Sequence, residues 1–101
     1  MSTTTKFVGF HRGKPRIYFQ STQLAQFGFA PGARYDVIYH PGEVELLAWP
    51  EGKRAVCKKV VGATTFSIID LNAGLDIFKD VKVVSVIHQP QRIVIRPEVT
   101  A

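Results

Sequence analysis

The stretch GFAPGARYDVIYHPGEVEL occupies residues 28–46, and IFKDVKVVSVIHQPQRIVI occupies residues 77–95. The two align without a gap at an offset of forty-nine positions. Phe29 falls on Phe78, Val37 on Val86, Ile38 on Ile87, Pro41 on Pro90, Val44 on Ile93 and Leu46 on Ile95. Each copy reads as a strand, a proline-centred turn and a second strand. Proline has no N–H for a β-ladder, so it stops the strand where it stands. The offset extends upstream, with Gly13 on Gly62, Ile17 on Phe66, Phe19 on Ile68 and Ser21 on Asp70.

Outward from these hairpins, each half carries the same punctuation. Strands are expected at 6–10 and 55–61, then turns at Gly13 and Gly62, then strands at 16–20 and 65–69. Ser21 and Asp70 are good N-cap residues for short helices at 22–27 and 71–78, the first closed by Gly28. The closing hairpins pair 34–39 with 43–48 and 81–88 with 92–95. The fold class is mostly β with short α: two β-β-α-β-β repeats forming one pseudo-symmetric, swapped-hairpin-like core. Residues 1–101 form a single domain, with a first repeat at 6–48, a turn-rich linker at 49–54 and a second repeat at 55–96. A unit of about forty residues has too little core to stand alone. Two copies bury their apolar faces against each other, which is why one chain writes the hairpin twice.

Composition bounds the remainder. A hydrophobic fraction of 46% supports a packed core, leaving only 2–5 and the tail after Pro97 as loose ends. The chain has no apolar run of membrane length and no signal-peptide pattern, so a cytoplasmic protein is expected. Cys57 is the single cysteine, which excludes an internal disulfide and the cysteine-rich zinc sites. It reads as a half-buried strand residue rather than a reactive thiol.

The net charge is +5 and the pI about 9.7, which favours a polyanionic partner. No acid precedes Asp36, whereas Lys6, Arg12, Lys14, Arg16 and Arg34 all do. A second acid-free run holds Lys53, Arg54, Lys58 and Lys59. Both basic clusters lie on or beside the first strand of a repeat, and stacked halves would join them into one positive strip. Such a strip contacts phosphates and supplies affinity rather than sequence choice. Aromatic residues interleave with the first cluster. Phe10, Tyr18 and Trp49 are the rings expected to remain exposed, and stacking on such rings contributes about 1–3 kcal/mol per base. The short helices carry almost no basic residues, so major-groove reading by a helix is disfavoured.

Signals for catalysis are sparse. His11, His40 and His88 show no mutual spacing, and Asp36, Glu43 and Glu45 read as surface carboxylates of one hairpin. No phosphate-binding glycine loop is present. A non-catalytic protein without cofactor or metal is expected.

The residues Pro15-Arg16-Ile17-Tyr18-Phe19, Leu24, Gly28-Phe29, Gly32, Val37 and Pro41-Gly42-Glu43-Val44-Glu45-Leu46 resemble the SpoVT/AbrB swapped-hairpin family, in particular its SymE-like branch. The second half matches only in apolar pattern and turns, the strand reads Gly13-Lys14-Pro15-Arg16-Ile17, and the tryptophan common in SymE-like helices is absent. The resemblance implies interleaved strands and a nucleic-acid partner. Members are duplex-DNA regulators, antitoxins and, for the SymE-like branch, toxins acting on nucleic acid. In size, basic strands and aromatic content the chain also resembles the Drc-type regulators of lytic phages, which bind single-stranded DNA and serve as RNA polymerase cofactors. The leading expectation is therefore a single-stranded DNA-binding protein of transcription or replication, self-associating and with RNA polymerase as a candidate partner. The alternatives are an AbrB-like duplex regulator or antitoxin, and a protein-interaction module or inhibitor presenting an edge strand.

Overall fold

The computed structural model describes residues 2–98. Ten strands run in chain order: β1 (Ser2–Phe7), β2 (Gly9–His11), β3 (Lys14–Ser21), β4 (Arg34–His40), β5 (Glu43–Ala48), β6 (Arg54–Ala55), β7 (Cys57–Val61), β8 (Thr64–Leu71), β9 (Val83–Gln89) and β10 (Arg92–Pro97). They form two antiparallel sheets. One has six strands in the order β1-β9-β10-β5-β4-β6, the other four in the order β2-β3-β8-β7. Among the described residues no helix is long and apolar enough to cross a membrane.

The alternation of apolar and polar residues assigns the faces. Ile17 and Phe19 of β3, and Ile69 and Leu71 of β8, point inward from the smaller sheet. Val44 and Leu46 of β5, Val84 and Val86 of β9, and Ile93 and Ile95 of β10 point inward from the larger one. All ten belong to one core cluster, with Phe29 and Phe78 inside it and wholly buried. Phe29 meets Tyr35 edge-on, with ring centroids 6.1 Å apart.

Two bends connect the sheets. β1 runs along an edge of the large sheet, turns at Val8 and continues as β2 along an edge of the small one. β6 turns at Val56 and continues as β7 in the same manner. Val8 and Val56 are both buried, and each bend is held by its own backbone. The Val8 N–H donates to the Lys82 carbonyl at 2.9 Å, and the Val56 N–H to the Ala33 carbonyl at 2.8 Å. The bends also exchange partners between halves. β1 pairs with β9 of the later half, and β6 with β4 of the earlier half.

Several expected elements are corrected. Residues 2–5, expected to be loose, belong to β1, which pairs residue by residue with β9 from Ser2↔His88 to Phe7↔Val83. The single strand expected at 6–10 is broken at Val8, because the buried side chain and the bond to Lys82 turn the chain. No α-helix forms among the described residues. At 22–27 there is only a 3-10 turn, Leu24–Phe27, closed by Gly28 at φ 93°. At 71–78 the 3-10 turn is Asp76–Phe78, and Leu71 lies in β8. Helix nucleation fixes several dihedrals per hydrogen bond, so connections this short take the tighter turn. Ser21 accepts the Gln23 N–H at 2.9 Å instead of capping a helix, and Asp70 is a strand residue that binds Arg16. The tail after Pro97 lies outside the described residues beyond Glu98, whose N–H donates to the Val83 carbonyl at 3.0 Å.

The closing hairpins share one register. Val37↔Leu46 and Tyr39↔Val44 in the first become Val86↔Ile95 and His88↔Ile93 in the second, each forty-nine positions on. Upstream, the expected equivalence is off by one residue. Ile17 and Phe19 are buried, but Phe66 and Ile68, their expected counterparts, face outward, and the inward residues are Ser67 and Ile69. A one-residue slip exchanges the two faces of a strand. It arises at the turns: Arg12 and Gly13 both have positive φ in the first, whereas in the second only Gly62 does, and it is the first residue of its turn where Gly13 is the second.

The expected linker is built into the fold. Gly52 is buried, and a Cβ there would lie 2.5 Å from Tyr35 backbone atoms. Arg34 Nε donates to the Gly52 carbonyl at 2.6 Å, tying the turn to β4. Gly52→Ala is therefore expected to destabilise the protein by about 1–3 kcal/mol through overpacking. Urea unfolding monitored by tryptophan fluorescence would show the lowered midpoint.

Candidate nucleic-acid interface

The bend at Val8 places side chains of both sheets around one concavity. Lys6, Phe7, Gly9, Phe10, Arg16 and Tyr18 line a single cleft. On the other side of the same two phenylalanines, Phe7, Val8, Phe10, Lys79, Val81 and Lys82 line an apolar groove, with Asp80 at its wall. Phe7 and Phe10 thus form a ridge between two hollows. They are 79% and 59% exposed, the largest exposures among the big apolar side chains described. Two phenylalanines left in water within four residues of each other, with cations on both flanks, form one apolar patch rather than scattered surface.

Electrostatics differ within the cleft. Lys6 is half-buried beneath the ridge, with Nζ 5.4 Å from the centre of the Phe19 ring, and burial lowers its pKa. Arg16 lies 5.1 Å from the Tyr18 ring centre and grips Asp70 with two bonds, Nε–Oδ1 at 2.9 Å and Nη2–Oδ2 at 2.8 Å. That pair fixes Arg16 beside the Tyr18 ring, and it holds the Asp70 carboxyl below its ordinary range. It also cancels one of the cations counted from sequence, so Arg16 positions a ring more than it neutralises a phosphate. Arg12 and Lys14 are exposed at the β2–β3 turn just beyond Phe10.

The expected single positive strip does not form. Lys58 and Lys59 are exposed on β7, at the edge of the small sheet opposite β2. Lys59 pairs with Phe66, one step beyond the Ser21↔Ser67 pair that ends the β3–β8 ladder. Lys14 begins β3, so the two clusters occupy opposite corners of the sheet, roughly 25 Å apart along the strands. Lys53, Arg54 and Trp49 form a third group around Asp36. Trp49 Nε1 donates to the Asp36 carboxylate at 2.6 Å, and the Lys53 N–H donates to it at 2.9 Å. Arg54 is half-buried and its charge interacts with the Tyr35 hydroxyl. Trp49 is 41% exposed but its indole N–H is thus engaged, and Tyr18 is half-buried.

The carboxylates of the first hairpin are likewise engaged. Glu45 accepts from His40 Nε2 at 2.9 Å and from Arg92, and Arg96 Nε donates to Glu43 at 2.9 Å. Among the described residues no group of three His, Cys, Asp or Glu side chains is placed to hold a metal ion. Cys57 is exposed rather than half-buried, because β7 is an edge strand.

Sequence reading missed Phe7, Lys79 and Lys82. Phe7 stands beside Val8 in a stretch that reads as one unbroken strand, where a ring is expected in the core, and the lysines sit in a loop far along the chain. No known family model matches this chain, and neither the curated proteins nor the solved structures contain a match to it.

Acid titration is expected to report these contacts. Asp36 is held low by the Lys53 amide and Trp49, Glu45 by His40 and then Arg92, and Asp70 by Arg16. The unfolded chain takes up these protons at ordinary carboxylate values, the folded chain only at lower pH. Their stabilisation is complete above that ordinary range and is lost as pH falls through the lowered values. Buried His88 adds an earlier loss that begins as pH falls below its ordinary 6.5, because burial disfavours its charged form. Thermal unfolding from neutral pH downward should show a shallow decline first and a steeper one below about pH 4.5.

Proposed function

We propose that this protein binds single-stranded DNA without catalysis, and that the ridge of Phe7 and Phe10 is its contact surface. The observation that carries this reading is the cleft that gathers Phe7, Phe10 and Tyr18 with Lys6 and Arg16. Exposed rings stack on unpaired bases of any sequence, and flanking cations track the backbone. Paired bases offer no free face to such a ridge. Lys79 and Lys82 extend the cationic border on the far side, and Arg12 and Lys14 on the near side. Lys58 and Lys59 serve as a second, remote phosphate contact.

The fold proposal accompanies the functional one. The chain is a fused pseudo-dimer, with a two-fold axis passing near Phe19↔Ile69 in one sheet and Glu45↔Val94 in the other. The shared hairpin register supports it, as do the paired bends, since Ala33 and Lys82, which hold them, are also forty-nine positions apart. The exchange of β1 and β6 between halves is a specific observation in favour of a swapped-hairpin regulator of duplex DNA, the second reading. The cleft favours the first. Service in transcription or replication, with RNA polymerase as partner, rests on the resemblance to small phage regulators.

Fluorescence anisotropy with labelled single strand and duplex of equal length, at two salt concentrations, separates the readings. Single-strand binding should be tighter and salt-sensitive. Phe7→Ala/Phe10→Ala should weaken it by about tenfold or more while leaving the salt slope unchanged, given about 1–3 kcal/mol per stacked base. Lys58→Glu/Lys59→Glu should flatten the salt slope. A preference for duplex, unaffected by the phenylalanine changes, would favour the swapped-hairpin regulator.

A further inference from the structure

A second hollow lies on the inner side of β1, between that strand, the end of β3 and the Leu24–Phe27 turn. Its polar lining includes Thr4, Lys6, Gln20, Ser21, Gln23 and His88, and no carboxylate lines it. The cavity measures about 160 Å³ and opens to solvent.

His88 is the unusual member. It is 7% exposed, and its Nδ1 has no hydrogen-bond partner among the described residues. The ring lies against Phe27 with centroids 5.3 Å apart, and because Nδ1 is unpartnered the hydrogen bond with the Ser2 backbone falls to its other nitrogen. Burial favours the neutral ring. Neutral His88 with Nε2–H on Ser2 leaves Nδ1 as a buried acceptor that lacks a donor, an arrangement native proteins rarely leave unfilled. Lys6 supplies a positive charge to the same hollow and is the other titratable side chain lining it. The neighbouring elements contribute no further charge here: β10 presents Ile93, β3 Phe19 and Ser21, and the turn Leu24 and Phe27.

The required occupant carries negative oxygens for Lys6 and the hydroxyls, and one O–H for His88. We propose that this hollow is a binding site for a singly protonated phosphate group, as inorganic hydrogen phosphate or as the monoanion of a terminal phosphate monoester, the form that keeps one P–OH. The P–OH donates to His88 Nδ1, and the P–O⁻ oxygens accept from Lys6 Nζ and from the Thr4 and Ser21 hydroxyls. Sulfate has the same shape and charge but no O–H at neutral pH, and a backbone phosphodiester has none either. The site therefore differs in chemistry from the stacking cleft, although Lys6 lines both. It stands whether or not the protein binds single strands.

The test follows the His88 ring nitrogens by long-range proton–nitrogen NMR of the full chain at neutral pH. His88 is assigned by elimination with His11→Gln and His40→Gln. Sodium phosphate is expected to shift the Nδ1 signal from the free-acceptor position towards the hydrogen-bonded one. Sodium sulfate at equal ionic strength should leave it in place, and Lys6→Met, which keeps the aliphatic stem, should abolish the response to phosphate. A short strand with a 5′-phosphate acting at lower concentration than inorganic phosphate would assign the site to strand ends, and the reverse order to the free ion. A ring unmoved by phosphate, or moved equally by sulfate, would overturn the proposal. Binding of 5′-hydroxyl strands bears on the stacking cleft alone, so the two readings fail separately.

Discussion

At Val8 and Val56 the backbone leaves one sheet and enters the other, and each bend is held by one N–H placed on the opposite half of the chain. Without those two bonds, two buried amides would lack partners, at about 1–3 kcal/mol each. Because the crossing strands pair beyond their own half, the six-stranded sheet is completed only by exchange: β1 covers β9, and β6 covers β4. Neither half then owns a finished sheet, and the core under Phe29 and Phe78 is shared. The crossing strands are also edges in both sheets, which suits their polar sequences. Ser2-Thr3-Thr4-Thr5-Lys6 and Lys58-Lys59 present hydroxyls and charge where an apolar strand would recruit other chains.

The same bend creates the candidate site. A strand that turns sharply between two sheets cannot bury every side chain on either side of the turn. Val8 goes inward, and Phe7 and Phe10 are left outside on a ridge. Lys6, one residue before the ridge, contacts the Phe19 ring and lines hollows on both sides of β1. Architecture and the proposed chemistry therefore have a common origin.

The hairpins were legible because their punctuation is local. Pro41-Gly42 and Pro90-Gln91 stop strands by covalent geometry, and alternation then assigns Val44, Leu46, Ile93 and Ile95 to the core. The helices were not legible, because Ser21 and Asp70 are as good in a turn or an ion pair as at a helix cap. Arg16 and Asp70 are fifty-four residues apart, and only the β3–β8 ladder brings them together. The slip between β3 and β8 was hidden for a similar reason. Gly13 and Gly62 align in sequence but occupy different places in their turns. Phe7 was read as core because nothing local signals that the chain bends one residue later.

The claim that the halves complete each other is tested most directly by separating them. Residues 1–50 and 51–101 would be produced as two peptides and examined by circular dichroism and proton–nitrogen NMR, alone and mixed. Exchange of β1 and β6 predicts that neither peptide folds as a monomer, and that the equimolar mixture regains the dispersed spectrum of the intact chain. A stable, monomeric fold in either peptide alone would contradict it.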